Sequence, residues 1–228
     1  MMRYMNVTND EQLVLKEIDA SGKVDLLVQG FHPFSWACQM SNIRFLRRLI
    51  KMDGDVNFIN SDGTTALTWA PNSEFTRALV SLGAKVSVEL DELTSMHRAA
   101  DKGLADQLKL LLTKSDGLSR LESFDFVNRT PLACAAAGGH EDALSLLLEF
   151  GANPNAYNSN DIGYTVIQFA LEEGHLYIAH LLIEAGAEPP LLRDVSRGIA
   201  GIAKDQEVGE EMIEGIFLGT GPLKKQEK

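Results

Sequence analysis

Short apolar clusters separated by glycine-containing turns repeat along most of the chain. In the clearest copy, Thr130 and Pro131 lead into a run of small residues, a Gly-Gly pair and a leucine-rich segment at 143–148 that stops at Gly151. The leucines recur at helical spacing, and glycine commonly ends a helix. We expect Thr130 to cap the first helix with its hydroxyl and Pro131 to occupy the first turn, where no N–H is needed. The pattern predicts two short helices followed by a hairpin.

The same unit recurs in five copies at a spacing of 29 to 36 residues. The turn residues of the five copies are His32, Thr65, Thr94, Thr130 and Thr165. The second copy is short and lacks the Gly-His turn between its helices. A single unit of this kind cannot bury its own apolar faces, so its stability depends on stacking against its neighbours. The sequence therefore predicts an all-α array of helix-turn-helix units over residues 31–190.

These copies resemble the ankyrin-repeat family, whose 33-residue unit carries a Thr-Pro-Leu-His-x-Ala signature. Residues 130–132 match the Thr-Pro-Leu part, and residues 97–99 match the His-x-Ala part. Among the five copies the signature histidine is present only as His97. The resemblance implies an ankyrin-repeat solenoid with hairpin fingers, in which the His97 imidazole ties neighbouring turns together. It also implies structural roles for His140 and His175, which follow the glycines between helices.

Both ends of the array are expected to carry capping units, because a terminal repeat needs a polar outer side. Residues 1–30 are interpreted as a degenerate N-terminal cap, with a helix, a turn at Gly22 and a second helix that reaches Leu27. Residues 191–228 are interpreted as a helical C-terminal cap followed by a frayed tail. The predicted organisation is therefore a cap, five repeats over 31–190 and a second cap.

Charge and composition narrow the class of partner. The chain has 21 Lys and Arg against 32 Asp and Glu, a net charge of −11. This balance argues against binding to nucleic acid or to an anionic membrane surface, both of which need clustered cations. There is no apolar run long enough to span a bilayer, and the first residues lack the apolar core of a signal peptide. With two cysteines and no disulfide framework, the expected location is the cytoplasm or the nucleus.

No catalytic, cofactor-binding or metal-binding pattern is found in the sequence. His175 and His180 are five residues apart, which is not the spacing of a helical metal pair. Cys38 and Cys134 fall at small-residue positions of the inner helices, where a buried packing role is expected. The chain is therefore predicted not to be an enzyme. The competing hypothesis is an activity that depends on residues 191–228.

In ankyrin repeats, partners usually meet the hairpin tips and the exposed side of the inner helices. Carried over to this sequence, those positions are rich in aromatic residues, and aromatic side chains together with arginine dominate interface hot spots. The predicted partner-binding residues are Phe126, Val127, Arg129, Tyr157, Asp161, Ile162, Tyr164 and Glu172. The alternative is that Phe126 and Ile162 fold inward and cover the irregular connections beneath them.

The function that follows is a non-catalytic scaffold or adaptor that binds a protein with basic and apolar features. The chain is expected to be a monomer or one subunit of a hetero-complex. The alternative is a structural or assembly-chaperone subunit of a large cytoskeletal or proteasomal complex. Residues 96–103 are similar to a segment of gankyrin-type proteasome assembly chaperones, which is the observation behind that alternative.

Overall fold

The computed structural model describes residues 7–86, 94–114, 117–157 and 164–189 of the 228-residue chain. These residues form ten α-helices and one 3₁₀ helix, and the described ranges contain two isolated β-bridges but no named strand. The helices are α1 (Val7–Ser21), α2 (Pro33–Gln39), α3 (Ile43–Ile50), α4 (Ser73–Ser81), α5 (Ser95–Asp101), α6 (Ala105–Leu112), α7 (Pro131–Ala137), α8 (Glu141–Glu149), α9 (Val166–Glu172) and α10 (Leu176–Glu184), with the 3₁₀ helix at Gly117–Arg120. The prediction of an all-α repeat fold is confirmed.

The chain divides into two compact units. The first comprises residues 1–95 and 113–120, and the second comprises residues 96–112 and 121–228. Helices α1 to α4 lie in the first unit, whereas α6 to α10 and nearly all of α5 lie in the second.

In the second unit, the first helices of successive repeats pack against each other. Helix α7 contacts α9 on one side and its own partner α8 on the other, and α9 contacts α10. Ala135 and Ala136 on α7 are completely buried, because small side chains let neighbouring helices approach closely. Leu144 and Leu147 are equally buried on α8. The small-residue run and the leucine cluster seen in the sequence thus form the two apolar faces of one repeat.

The start of α7 follows the expected capping pattern. Thr130 has an extended backbone, and its Oγ1 accepts a hydrogen bond from the Ala133 N–H at 3.3 Å. Pro131 lies in the first turn, where its missing N–H costs no helical hydrogen bond. At the start of α9 the Gln168 side chain accepts the Thr165 N–H at 2.7 Å. Both helices therefore begin where the sequence predicts.

The Gly-His pairs between helices are explained by a close approach of successive repeats. Gly139 has a φ of +70°, and a Cβ atom there would lie 2.6 Å from the His175 ring of the next repeat. The His175 Nε2 atom lies 3.1 Å from the Ala137 carbonyl oxygen. His140 makes the equivalent contact one repeat earlier, 3.0 Å from the Asp101 carbonyl oxygen. The structural roles implied for both histidines are confirmed.

In the first unit the predicted second helix of the N-terminal segment is wrong. Helix α1 packs on α2, but residues 22–31 form turns and a short bridge between Val28 and Phe31. The Asp25 carboxylate accepts hydrogen bonds from His32 Nε2 at 3.1 Å and from the Asp55 N–H at 2.7 Å. These contacts hold the segment in a turned conformation, so no second helix forms there. The predicted cap at 191–228 lies outside the described residues.

Candidate protein-binding surface

A single buried carboxylate organises the hairpin that precedes α7. Asp125 is 2% exposed, and its Oδ1 accepts the N–H groups of Val127 at 3.0 Å and of Arg129 at 2.7 Å. The Asp125 and Arg129 backbones pair at 2.9 Å, which closes the loop. Asn128 takes a left-handed conformation with a φ of +59°. The result is a tight turn whose middle residues point away from the carboxylate that holds it.

Phe126 and Val127 are consequently displayed at the hairpin tip. Their exposed fractions are 62% and 43%, which makes Phe126 one of the most exposed large apolar side chains of the described residues. The interpretation in which Phe126 folds inward is wrong, because Asp125 beside it occupies the buried position. Ile162 and Asp161, the corresponding predicted residues of the next hairpin, lie outside the described residues.

His97 anchors the base of the same hairpin. Its Nε2 atom lies 2.9 Å from the Ser123 carbonyl oxygen and 3.0 Å from that of Arg129. Both neighbours are acceptors, so Nε2 carries the hydrogen and donates to them. Burial lowers the pKa of His97 below the ordinary histidine value, and the nearby Asp125 charge opposes this shift. The imidazole thus ties neighbouring turns together, as the family resemblance implies.

Arg129 is held inside the hairpin rather than displayed on it. Its Nε and Nη2 atoms each lie 2.9 Å from Asp125 Oδ2, and Nη1 lies 3.9 Å from Asp101 Oδ1. Only 19% of its side chain is exposed. The Cys134 thiol also contacts Asp125 Oδ2, at 3.7 Å. Arg129 therefore supports the shape of the surface, and its guanidinium has little capacity left for a partner.

The two cysteines occupy buried packing positions. Cys38 and Cys134 are both free and almost fully buried. Burial raises the pKa of each thiol well above its ordinary range, because a thiolate in an apolar environment is strongly disfavoured. A thiol that stays protonated is a poor nucleophile and a poor metal ligand. The expected packing role is confirmed for both residues.

The next hairpin displays a second aromatic side chain. Tyr157 is 63% exposed and forms an antiparallel bridge with Thr165, the residue before α9. Tyr164 is only half-exposed, and its hydroxyl donates a hydrogen bond to Glu172 while its ring lies 5.2 Å from that of Phe169. Among the predicted partner-binding residues, Phe126, Val127 and Tyr157 are therefore displayed, whereas Tyr164 and Glu172 contact each other.

No group of three or more His, Cys, Asp or Glu side chains in the described residues is arranged to hold a metal ion. Within those ranges, no helix has the length and apolar character needed to cross a bilayer.

A family model for ankyrin repeats matches residues 34–120 and 96–192, which together cover more than half of the chain. The chain belongs to the ankyrin-repeat family. Residues 34–192 therefore contain ankyrin repeats, and ankyrin repeats are protein-interaction modules.

Curated relatives are longer proteins that contain such repeats. A Danio rerio protein named as a palmitoyltransferase, ZDHHC13, is 25% identical over 189 residues, which are 80% of this chain and 29% of the relative. The ankyrin repeat protein nuc-2 of Neurospora crassa is 26% identical over 192 residues, or 82% of this chain and 18% of the relative. A rice protein named as an E3 ubiquitin-protein ligase, XBOS33, is 39% identical over 103 residues, or 45% and 18%. This chain thus spans less than a third of each of these relatives.

Two asparagines link ankyrin repeats in a way that the sequence pattern alone did not predict. Asn155 donates from Nδ2 to the Gly186 carbonyl oxygen at 2.9 Å and accepts the Glu188 N–H at 2.7 Å. Asn57 does the same in the first unit, with Gly83 at 3.2 Å and Lys85 at 2.9 Å. Each amide therefore clamps the backbone of the following repeat. The sequence contains a feature that both asparagines share, since each is the last residue of an Asp/Asn-x-Asn motif that follows a helix.

Proposed function

We propose that this ankyrin-repeat chain is a non-catalytic adaptor or scaffold that binds a partner protein through the hairpins of its second unit. The aromatic hairpin surface, defined here as Phe126, Val127 and Tyr157, forms the centre of contact. Exposed large apolar side chains favour this function, because burying them against a partner is favourable. Asp161, Ile162, Tyr164 and Glu172 would contribute further contacts, and Arg129 would maintain the hairpin that carries Phe126.

The observation that carries this proposal is the display of Phe126 and Tyr157, each more than three-fifths exposed, on two consecutive hairpins. Large aromatic side chains contribute strongly to binding when a partner covers them. Backbone N–H groups donate hydrogen bonds to the side chains of Asp125 and Asn155, which lie within two residues of these aromatic residues, so little backbone freedom is lost there on binding.

Affinity capture from the native cell with the full chain as bait tests the proposal. The variant Phe126→Ser/Tyr157→Ser should lose one set of captured proteins while its circular dichroism and melting temperature stay unchanged. The matched control is Leu118→Ser, which alters another exposed apolar side chain, 55% exposed, in the first unit. If the double variant keeps every partner that the control keeps, this surface is not the binding site.

The alternative function is that of a permanent structural or assembly-chaperone subunit in a large cytoskeletal or proteasomal complex. Sedimentation of a native extract separates the two functions. An adaptor should sediment mainly as a small species, whereas a permanent subunit should sediment entirely with a large particle.

Deleting residues 191–228 tests the proposed organisation of 1–30, 31–190 and 191–228 as cap, repeats and cap. Loss of stability with retained binding supports it, and loss of an enzymatic activity would contradict it.

A further inference from the structure

The negative charge of the chain is concentrated in one segment. Residues 121–189 contain ten Asp and Glu against one Arg and no Lys, whereas the rest of the chain contains 22 acidic and 20 basic residues. Almost all of the net charge of −11 therefore belongs to the segment that carries the aromatic hairpin surface. Residues 96–112, which belong to the same unit, add two acidic and three basic residues, so these two parts of the second unit together have twelve acidic residues against four basic ones.

The one arginine of this segment does little to neutralise the negative charge of the other residues, because it is already paired. Arg129 is paired with buried Asp125 through two contacts of 2.9 Å, and its side chain is 19% exposed. His140 and His175 contact backbone carbonyl oxygens rather than carboxylates. Glu172 and Glu173, by contrast, are exposed at the end of α9. Lys102 of the same unit is exposed but lies 3.2 Å from the Asp101 carboxylate. A partner that approaches Phe126 and Tyr157 therefore meets apolar side chains on a unit with a clear excess of negative charge.

We infer that the aromatic hairpin surface binds a Lys- and Arg-rich protein segment that carries an aromatic or aliphatic anchor residue. This inference rests on the proposed function and specifies its partner. The apolar anchor packs on Phe126 and Tyr157, while the cations of the segment are attracted by the surrounding carboxylates. The negative field raises the association rate of a cationic segment and repels acidic proteins and nucleic acids. Charge complementarity therefore determines which protein segments associate with this surface, and the burial of apolar side chains stabilises the complex.

Selection from a random dodecapeptide phage library against the full chain tests the inference directly, because such a library samples cationic, neutral and acidic peptides alike. The enriched peptides should carry an excess of Lys and Arg together with at least one large apolar residue. A synthetic peptide with the consensus sequence then serves as the probe in fluorescence anisotropy. Its affinity should fall about tenfold or more between 50 and 300 mM NaCl, because salt screens the attraction. Failure to enrich any cationic peptide would overturn the inference.

Two variants separate the apolar and the electrostatic contributions. Phe126→Ser/Tyr157→Ser leaves the charge unchanged and should weaken peptide binding about tenfold or more. Glu172→Gln/Glu173→Gln should slow association several-fold, by weakening the negative field. The matched control is Glu17→Gln/Asp19→Asn, which removes the same charge from exposed positions of α1 in the first unit and should leave association unchanged.

The possible outcomes distinguish this inference from the proposed function. If neutral or acidic peptides are enriched and lose binding in the Phe126→Ser/Tyr157→Ser variant, the surface binds proteins but the inferred partner chemistry is wrong. If the enriched peptides bind that variant as tightly as the original chain, the proposed surface itself is wrong. If the α1 control slows association as much as the α9 variant does, overall charge rather than this surface attracts the peptide, and the inference fails.

Discussion

Single polar side chains fix the backbone next to Phe126 and Tyr157. Asp125 accepts two backbone N–H groups and the Arg129 guanidinium, and Asn155 bonds to the backbone of the following repeat. A buried carboxylate needs such partners, because burying an uncompensated charge is costly. The backbone next to the exposed aromatic residues is therefore fixed by hydrogen bonds to these polar side chains.

His97 makes the stability of the chain depend on pH. Burial keeps its pKa below the ordinary histidine value of 6.5, so the unfolded chain takes up a proton at a higher pH than the folded chain does. The contribution of the neutral imidazole is fully present above pH 6.5 and is lost as the pH falls below it. The free energy of unfolding should therefore decrease from pH 7.5 to pH 5.5 by more in the original chain than in a His97→Gln variant.

Urea unfolding of both proteins at the two pH values checks this prediction. Other groups, including His32, whose pKa is also lowered by burial, titrate in both proteins and cancel in the comparison. Equal decreases in the two proteins would mean that His97 is not responsible.

The repeat helices of the second unit are individually too short to be stable in water. They have seven to nine residues, below the length at which an isolated helix persists. Their stability must come from contacts such as those of α7 with α8 and α9. Charges at the helix ends modify this stability, because the N-terminus of a helix favours negative groups and the C-terminus favours positive ones.

Helix α8 provides a direct test of that rule. Asp142 lies in its first turn and Glu149 is its last residue, both are exposed, and its last turn contains no basic residue. Glu149→Lys should raise the free energy of unfolding by about 0.5 kcal/mol, whereas Asp142→Lys should lower it by about the same amount. Both changes add the same charge to the same helix, so each serves as the control for the other. Thermal or urea unfolding measures the difference, and changes of equal sign would contradict the explanation.

Charge is unevenly distributed over the whole molecule, and this has a consequence for folding. With ten acidic residues and one arginine, residues 121–189 repel one another when the chain is compact. Raising NaCl from 20 to 300 mM should therefore increase the free energy of unfolding, because salt screens this repulsion. KCl at the same ionic strength should have the same effect. A decrease with salt would show that attractive pairs such as Arg129 with Asp125 dominate instead.

Much of the fold could be predicted because its signals are local. Thr130, Pro131 and the glycine before His140 define helix ends through interactions within a few residues. The sequence pattern predicts a helix after α1 and is wrong there, because the conformation of this segment depends on hydrogen bonds that Asp25 accepts from His32 and from the Asp55 N–H. Asp55 is thirty residues away, and no local pattern reveals that contact.

The sequence by itself determined the repeat, the helical class and the concentration of negative charge, since spacing, periodicity and composition are properties of the chain alone. Only the tertiary structure decided which predicted contact residues are displayed. Phe126 and Tyr157 are exposed, whereas Arg129 is paired with Asp125, and Tyr164 with Glu172. The exposure of a side chain depends on which polar groups the folded backbone brings within hydrogen-bond distance of it. An arginine or a tyrosine near a hairpin has the same sequence pattern whether it faces a partner protein or a carboxylate of the same chain.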